Sequence, residues 1–130
     1  HPHHSGEMIM ANQKQAFGAW GEAVAVEYLT EKGFTVLVRN YRALRGEIDI
    51  IARLENVIVF VEVKTGRSRQ FGPPEERITP AKQRQLYKIA NHYIQHHPDD
   101  SADYRFDAVI IDGTEAKYEI RHYPNAFYLF

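Results

Sequence analysis

The sequence predicts a single α/β domain in which a mixed β-sheet is flanked by helices, in the order α-β-β-β-α-β-β. Apolar residues recur at helical spacing near residues 13–32 and again after residue 79. Between and after these segments lie β-rich stretches whose side chains alternate in character. A chain of 130 residues with 44% hydrophobic content can bury one core but is too short for two ordinary domains.

The first helix is predicted from about Gln13 to Lys32, where Gly33 is a good C-terminal breaker. Its apolar residues cover a wide arc and comprise Phe17, Ala19, Trp20, Ala23, Val24, Val26, Tyr28 and Leu29. Glu22 lies inside this arc, and a lone acid on an inward face needs a partner. A salt bridge, or a position at the rim of the core, would satisfy it.

A strand from Phe34 to about Tyr41 precedes a predicted β-hairpin. The hairpin strands run from Glu47 to Leu54 and from Val57 to Lys64, and Glu55-Asn56 forms the turn. One face is wholly apolar and must be buried, which fixes the register. This face comprises Ile48, Ile50, Ala52, Leu54, Val57, Val59, Val61 and Val63.

The predicted register places Asp49 opposite Glu62, and Glu47 opposite Lys64, on the other face of the hairpin. Cross-strand charges often only stabilise a sheet, but Asp49 and Glu62 are like charges that repel when held close. A hard cation between the two carboxylates removes this repulsion, and Mg²⁺ or Mn²⁺ prefers such oxygen ligands. The spacing therefore favours a metal site over a purely structural pair.

The second helix is preceded by a loop from Thr65 to Ile78 that leaves the second hairpin strand. Arg67 and Arg69 suit a mobile flap over a phosphate backbone, although a plain surface connection fits equally well. Thr79 is expected to cap the helix, with Pro80 at its first position. Polar and basic residues cluster near this N-terminus, which attracts phosphate, and comprise Lys82, Gln83, Arg84 and Lys88.

The C-terminal part of the chain predicts two more strands, from Tyr104 to Asp112 and from Tyr118 to Tyr123, linked by Asp112-Gly113. Asp107 alternates with apolar neighbours, which is compatible with a structural role. The apolar residues 127–130 are expected to dock on the domain or on a second subunit, so that a homodimer is conceivable.

The net charge of −1 hides an uneven distribution. The segment from Arg39 to Lys88 holds 11 of the 16 basic residues and six acids, whereas the segment from His97 onward holds seven acids and three basic residues. The simple interpretation is a phosphate-facing side and an acidic back, although folding can scatter such charges over a mixed surface.

Several classes of protein are disfavoured. Without cysteine, neither a disulfide framework nor a thiolate metal site can form. No stretch approaches a membrane span, and no apolar signal segment is present, so a cytoplasmic protein is expected. Residues 1–10 are expected to be a disordered tail or a tag remnant, and residues 11–130 the domain.

Taken together, several short motifs resemble the YraN family, whose members are regarded as resolvase-like endonucleases of the PD-(D/E)XK superfamily. The motifs span most of the chain and are Gly21-Glu22, Arg39-Asn40-Tyr41-Arg42, Gly46-Glu47-Ile48-Asp49, Val61-Glu62-Val63-Lys64-Thr65, Thr79-Pro80 with Lys82-Gln83, and Arg105-Phe106-Asp107. The position before Asp49 is Ile48 rather than the proline of the superfamily signature.

The resemblance implies a restriction-endonuclease-like fold and assigns roles to individual residues. Asp49 and Glu62, joined by Glu22 from the first helix, would hold Mg²⁺ or Mn²⁺. Lys64 would orient the attacking water or stabilise the phosphate. The DNA backbone would be bound by Arg39, Arg42, Arg67, Arg69, Lys82, Gln83 and Arg84.

The predicted function is therefore that of a Mg²⁺-dependent endodeoxyribonuclease acting in DNA repair, recombination or uptake. No recognition helix is evident, and backbone contacts alone do not read sequence, so branched or single-stranded DNA is the expected substrate. Two alternatives remain open. One is a catalytically silent nucleic-acid-binding protein, and the other is an interaction module of a DNA-processing complex.

Overall fold

The computed structural model describes residues 2–67 and 78–127. These residues form two helices and five strands in the predicted order α-β-β-β-α-β-β, which confirms the fold class. The elements are α1 (Pro2–Glu31), β1 (Thr35–Ala43), β2 (Gly46–Leu54), β3 (Val57–Gly66), α2 (Pro80–His96), β4 (Asp103–Thr114) and β5 (Lys117–Phe127).

The strands form one sheet in the order β1-β2-β3-β4-β5, so that spatial order follows chain order. β3 and β4 run parallel, and the other neighbouring pairs run antiparallel. A parallel pair needs a long crossover, because a tight turn can join only antiparallel strands. The segment that contains α2 makes this crossover from β3 to β4.

Within residues 2–67 and 78–127, each face of the sheet is covered by one helix. Ala25 and Leu29 of α1 pack on the face that presents Ile50, Val59 and Val61. On the other face, α2 packs against a second buried cluster that comprises Ile48, Ile51, Ile58, Phe60, Leu86, Ile89, Ala90, Tyr93, Phe106 and Phe127. Because both faces are covered, the central strands are apolar on both sides.

Ile48 was predicted to share a face with Ile50, and this prediction is wrong. Ile48 packs in the cluster beside α2, whereas Ile50 packs in the cluster beside α1. The regular pairing of β2 with β3 extends only as far as Ile50 and Val61. Ile48 lies beyond that point, where the regular alternation of β2 ends.

Several element boundaries differ from the predicted ones. α1 begins at Pro2 rather than near Gln13, and β3 continues through Gly66, so that the predicted loop starts later. Most of that loop, residues 68–77, lies outside the described residues. The β4–β5 turn falls after Thr114 rather than at Asp112-Gly113, because both residues pair with β5.

The start of α2 agrees with the prediction. Thr79 is the N-cap, its hydroxyl oxygen accepts a hydrogen bond from the backbone N–H of Lys82 at 3.2 Å, and Pro80 follows. Among the described residues, neither helix combines the length and the apolar character that a membrane span requires.

Candidate metal centre

The predicted hairpin register is confirmed from Leu54 opposite Val57 to Ile50 opposite Val61. One residue further along, where Asp49 would face Glu62, the side chain of Asp49 bonds to the backbone of the neighbouring strand. Oδ2 of Asp49 accepts a hydrogen bond from the backbone N–H of Val63 at 2.8 Å. The two carboxylates therefore stand where β2 and β3 separate, at the end of the regular pairing.

Three carboxylates converge at this point. Glu22, Glu47 and Asp49 each offer one carboxylate oxygen, and these oxygens all lie within 4.8 Å of one another. All three residues are half-buried. The sequence predicted Glu22 and Asp49 as ligands but placed Glu47 only opposite Lys64, so Glu47 is an addition from the structure.

Gly21 allows α1 to bring Glu22 to this cluster. A Cβ atom at position 21 would overlap the side-chain methyl of Thr65 on β3. Since glycine has no side chain, the helix can approach the strand closely. In the Gly21-Glu22 motif, Gly21 thus permits the close contact with Thr65, and this contact positions the carboxylate of Glu22.

Asn40 links two of the three carboxylates. Its Nδ2 donates hydrogen bonds to Oε1 of Glu22 at 3.0 Å and to Oε1 of Glu47 at 3.2 Å. Its φ of 54° lies in the left-handed region, which asparagine tolerates better than most residues. No role was predicted for Asn40, although it lies in the Arg39-Asn40-Tyr41-Arg42 motif.

Glu62, which the sequence predicted as a metal ligand, is 5% exposed and is not one of the three clustered carboxylates. It lies beside two lysines. Its Oε1 lies 3.5 Å from Nζ of Lys64 and 4.0 Å from Nζ of Lys82. Its Oε2 is buried and has no hydrogen-bond partner. A buried carboxylate oxygen without a partner is costly, and a bound cation would satisfy it.

The electrostatic environment disfavours a second negative charge at this site. Burial, reinforced by the nearby charge of Glu62, raises the pKa of Asp49 to about 8, although the Val63 hydrogen bond acts in the opposite direction. Burial also raises the pKa of Glu62, while Lys82 and Lys64 oppose that rise. Half-buried oxygen donors with this excess of negative charge fit a hard divalent cation.

A cavity of about 290 Å³ opens beside the cluster, between α1 and the diverging strands. Its lining residues are Gln15, Gly18, Ala19, Glu22, Asp49, Val63 and Thr65. Two of the three clustered carboxylates therefore face a space in which a cation and its water ligands can be accommodated.

The basic residues predicted to bind DNA differ in their surroundings. Arg42 donates from Nε to Oε2 of Glu47 at 3.0 Å, and Lys82 lies beside Glu62 as described above. The Arg67 guanidinium lies over the Phe17 ring, 5.6 Å from its centre. Arg42 and Lys82 are thus connected to the acidic site, which the sequence did not predict.

The remaining predicted DNA-binding residues lie on β1, on α2 or outside the described residues. Arg39 and Arg84 are exposed on β1 and α2, respectively. Gln83 donates from Nε2 to the carbonyl oxygen of Ile78 at 3.3 Å, within the first turn region of α2. Arg69 lies in the segment 68–77, outside the described residues.

Comparison of the sequence with known proteins identifies a family and several relatives. The family described as "Uncharacterised protein family UPF0102" matches residues 21–111. A UPF0102 protein of Syntrophomonas wolfei is 44% identical over 110 residues, covering 85% of this chain and 96% of the relative. A UPF0102 protein of Syntrophotalea carbinolica is 39% identical over 118 residues, covering 91% of this chain and 96% of the relative.

A third relative is a UPF0102 protein of Caldicellulosiruptor saccharolyticus, 49% identical over 96 residues, with 74% of this chain and 81% of the relative covered. The family match contains all four acidic residues of the site, Glu22, Glu47, Asp49 and Glu62. This chain therefore belongs to the UPF0102 family, which is the YraN family of PD-(D/E)XK-like, nuclease-related proteins.

Proposed function

We propose that this protein is a metal-dependent endonuclease that hydrolyses phosphodiester bonds of DNA and selects its substrate by structure. The observation that carries the proposal is the convergence of Glu22, Glu47 and Asp49 within 4.8 Å, next to a buried Glu62 that has an unsatisfied oxygen. Membership of a nuclease-related family supports it.

The residues fit Mg²⁺ or Mn²⁺ as the metal. Glu22, Glu47 and Asp49 would hold the ion, and Oε2 of Glu62 is the adjoining oxygen donor that lacks a partner. When bound, such an ion lowers the pKa of water and neutralises charge that builds on the phosphate. Asn40 keeps Glu22 and Glu47 together through its two hydrogen bonds.

We propose that Lys64 supplies the positive charge that acts on the attacking water or on the phosphate. Its ammonium lies 3.5 Å from Oε1 of Glu62, so the carboxylate fixes the end of a flexible side chain. A positioned ammonium can orient the attacking water or stabilise negative charge on the phosphate. Lys82, 4.0 Å from the same oxygen, adds positive charge at the N-terminal end of α2.

DNA is the proposed partner, and its backbone would run over the basic residues near the site, including Arg39, Arg42, Lys82 and Arg84. Charged contacts to phosphate hold the duplex without reading its sequence. Structure-selective cleavage of branched or single-stranded DNA follows from that kind of contact. We also propose a cytoplasmic location, where such DNA is processed.

The test is a cleavage assay on labelled single-stranded, nicked and four-way-junction DNA with Mg²⁺, Mn²⁺ or EDTA. The variants Asp49→Asn and Lys64→Met should abolish cutting. Glu119→Gln is the control, because Glu119 is 78% exposed on β5 and belongs to no part of the site. Cutting that persists in EDTA, or in Asp49→Asn, would contradict the proposal.

One observation favours a second candidate, a DNA-binding protein without turnover. Two lysine ammonium groups already lie within 4.0 Å of Oε1 of Glu62 and partly neutralise it without a metal. In that case no substrate is cut, and binding weakens steeply as salt rises but does not respond to metal. The same assay, read beside a binding titration, separates the two candidates.

A further inference from the structure

The turn between β1 and β2 combines two costly features. Leu44 at its tip is 60% exposed, and both Leu44 and Arg45 have left-handed backbones, with φ of 51° and 62°. Two-residue hairpin turns of this kind favour Asn-Gly, since most side chains are strained there. A turn that keeps an exposed leucine in a strained conformation points to a function for that side chain.

Leu44 lines a groove that leads to the carboxylate site. This groove, of about 690 Å³, also includes Arg42, Arg45, Glu47 and Lys82 among its lining residues. Glu47 belongs to the three-carboxylate cluster, and Lys82 lies 4.0 Å from Glu62. The exposed leucine thus shares the groove with three basic residues, Arg42, Arg45 and Lys82, on the approach to the proposed catalytic centre.

The base of the hairpin is held firmly against α2. A Cβ atom at Gly46 would come within 2.6 Å of the end of the Ile89 side chain and 2.8 Å of Nε2 of Gln85. On the neighbouring strand, the Tyr41 hydroxyl and Nδ1 of His92 share a hydrogen bond at 2.7 Å. Leu44 therefore projects from a turn whose base is packed against α2.

We propose that Leu44 is a wedge that packs against an uncovered base face of DNA at a nick, a branch or a single-stranded end. This inference rests on the proposed function and names the substrate feature that the site would select. Arg42 and Arg45 on either side would contact the flanking phosphates. Leucine is one of the residues that proteins insert between base steps.

The energetics favour an interrupted duplex over a continuous one. In a continuous duplex both faces of a base pair are covered by its neighbours, and separating one step costs more than the burial of one leucine gains. At a nick or a branch, one base face is already free or only loosely stacked. Leucine burial there is favourable without that cost.

The experiment measures binding by fluorescence anisotropy in EDTA, where metal-dependent cutting cannot occur. A nicked duplex, a four-way junction and a continuous duplex of equal length are titrated with wild type, Leu44→Asn and Leu44→Met. Asparagine tolerates the left-handed backbone, so Leu44→Asn should keep the fold, which its melting temperature checks. Leu37→Asn is the matched control, since Leu37 is 42% exposed on β1, the strand that leads into this turn, but does not line the groove.

We expect Leu44→Asn to lower the preference for interrupted over continuous DNA about fivefold to tenfold, the loss that partial burial of one leucine implies. Affinity for the continuous duplex should not change, and Leu44→Met and Leu37→Asn should behave as wild type. A 2-aminopurine placed at the nick should brighten with wild type but not with Leu44→Asn.

Three results would overturn the wedge. These are an unchanged preference in Leu44→Asn, an equal loss of affinity for all DNA, and a wild type without any preference. Because the assay does not require cleavage, the two proposals can fail separately. Metal-dependent cutting with an unchanged preference in Leu44→Asn removes the wedge alone, whereas a lost preference in a protein that never cuts removes the nuclease alone.

Discussion

Oδ2 of Asp49 accepts a hydrogen bond from the backbone N–H of Val63, 2.8 Å away. A side chain thereby satisfies a strand N–H at the place where β2 and β3 stop pairing regularly. The interaction fixes one oxygen of Asp49. Asp49 forms the three-carboxylate cluster together with Glu22 and Glu47. The end of a strand pairing is thus converted into an acidic site.

The first prediction concerns metal affinity. Removal of one carboxylate in Glu22→Gln, Glu47→Gln or Asp49→Asn should weaken Mn²⁺ binding by more than about tenfold, because affinity for hard cations depends on the number of charged oxygen ligands. Isothermal titration calorimetry measures this directly. Glu119→Gln should bind Mn²⁺ as wild type does, and equal affinity in Glu47→Gln would exclude Glu47 as a ligand.

The second prediction concerns Asn40 as a positioning residue. Asn40→Gly removes the amide that joins Glu22 to Glu47 but permits the left-handed backbone at φ of 54°. Loss of a residue that orients metal ligands typically weakens metal affinity about tenfold or more. Calorimetry with Mn²⁺ should show that loss while the far-ultraviolet circular dichroism stays native.

Asn40→Gln provides the counterpart, since it retains the amide but displaces it by one methylene group. If Asn40 acts by position, Asn40→Gln should also bind Mn²⁺ less tightly than wild type. Wild-type affinity in Asn40→Gly would show that Glu22 and Glu47 are held by other contacts.

The hairpin register was predictable because eight alternating apolar residues had to share a buried face. The alternation held from Ile50 to Val61, where backbone pairing enforces it. It failed at Ile48, beyond that pairing. The same break explains why the sequence placed Glu47 opposite Lys64 and missed its approach to Glu22 and Asp49.

Contacts between distant elements could not be predicted from local pattern. The left-handed backbone of Asn40 and the position of Lys82 beside Glu62 depend on how β1 and α2 pack on the sheet. The sequence predicted that Glu22 is an inward-facing acid that needs a polar partner, but it did not predict that this partner is Asn40.

The third prediction concerns stability without metal. In EDTA at neutral pH, Asp49→Asn should stabilise the fold by about 2 kcal/mol, because it removes an acid whose ionisation is opposed by burial and by Glu62. Thermal unfolding should show an increase in Tm of about 7 °C. A lower Tm would mean that the Asp49 charge is already compensated.

The pH dependence of this effect has a definite sign. The pKa of Asp49 is raised from 3.8 to about 8, so within this window the folded chain binds a proton that the unfolded chain releases. Wild-type stability should therefore decrease as pH rises through the window, whereas Asp49→Asn lacks this contribution. The Tm difference between the two proteins should narrow as the pH is lowered towards 3.8, the ordinary pKa of an aspartate.

The fourth prediction tests the close approach of α1 to β3. Gly21→Ala should destabilise the fold by about 2 kcal/mol, because its methyl group would overlap the Thr65 side chain. Gly18→Ala is the matched control on the same helix, since a Cβ there meets no atom within 4 Å. Alanine should raise stability at position 18 by roughly 0.5–1 kcal/mol through helix propensity.

Urea denaturation of both variants measures the contrast. The contact also positions Glu22, so Gly21→Ala should weaken Mn²⁺ binding. Equal stability of the two alanine variants would show that Thr65 moves aside without cost and that the fold does not require glycine at position 21.

The fifth prediction concerns Asp107, a buried acid on β4 that lies outside the carboxylate cluster. It is 0% exposed and receives hydrogen bonds from Arg105 at 2.9 and 3.0 Å, from Nε2 of His122 at 2.7 Å, and from the backbone N–H of Asn125 at 3.1 Å. The carboxylate thus ties β4 to β5. Asp107→Asn should destabilise the fold by about 3 kcal/mol, because it leaves Arg105 without its buried counter-charge.

Acid should reduce this stabilising contribution. Burial by itself would raise the pKa of Asp107, but the hydrogen bonds from His122 and Arg105 outweigh it and hold the pKa below its usual value of 3.8. The contribution is therefore complete above the pKa of the unfolded chain and is lost as pH falls through the folded value. Urea titrations at a series of acidic pH values should show the difference between wild type and Asp107→Asn shrinking in that window. A difference that grows on acidification would contradict the assigned role of Asp107.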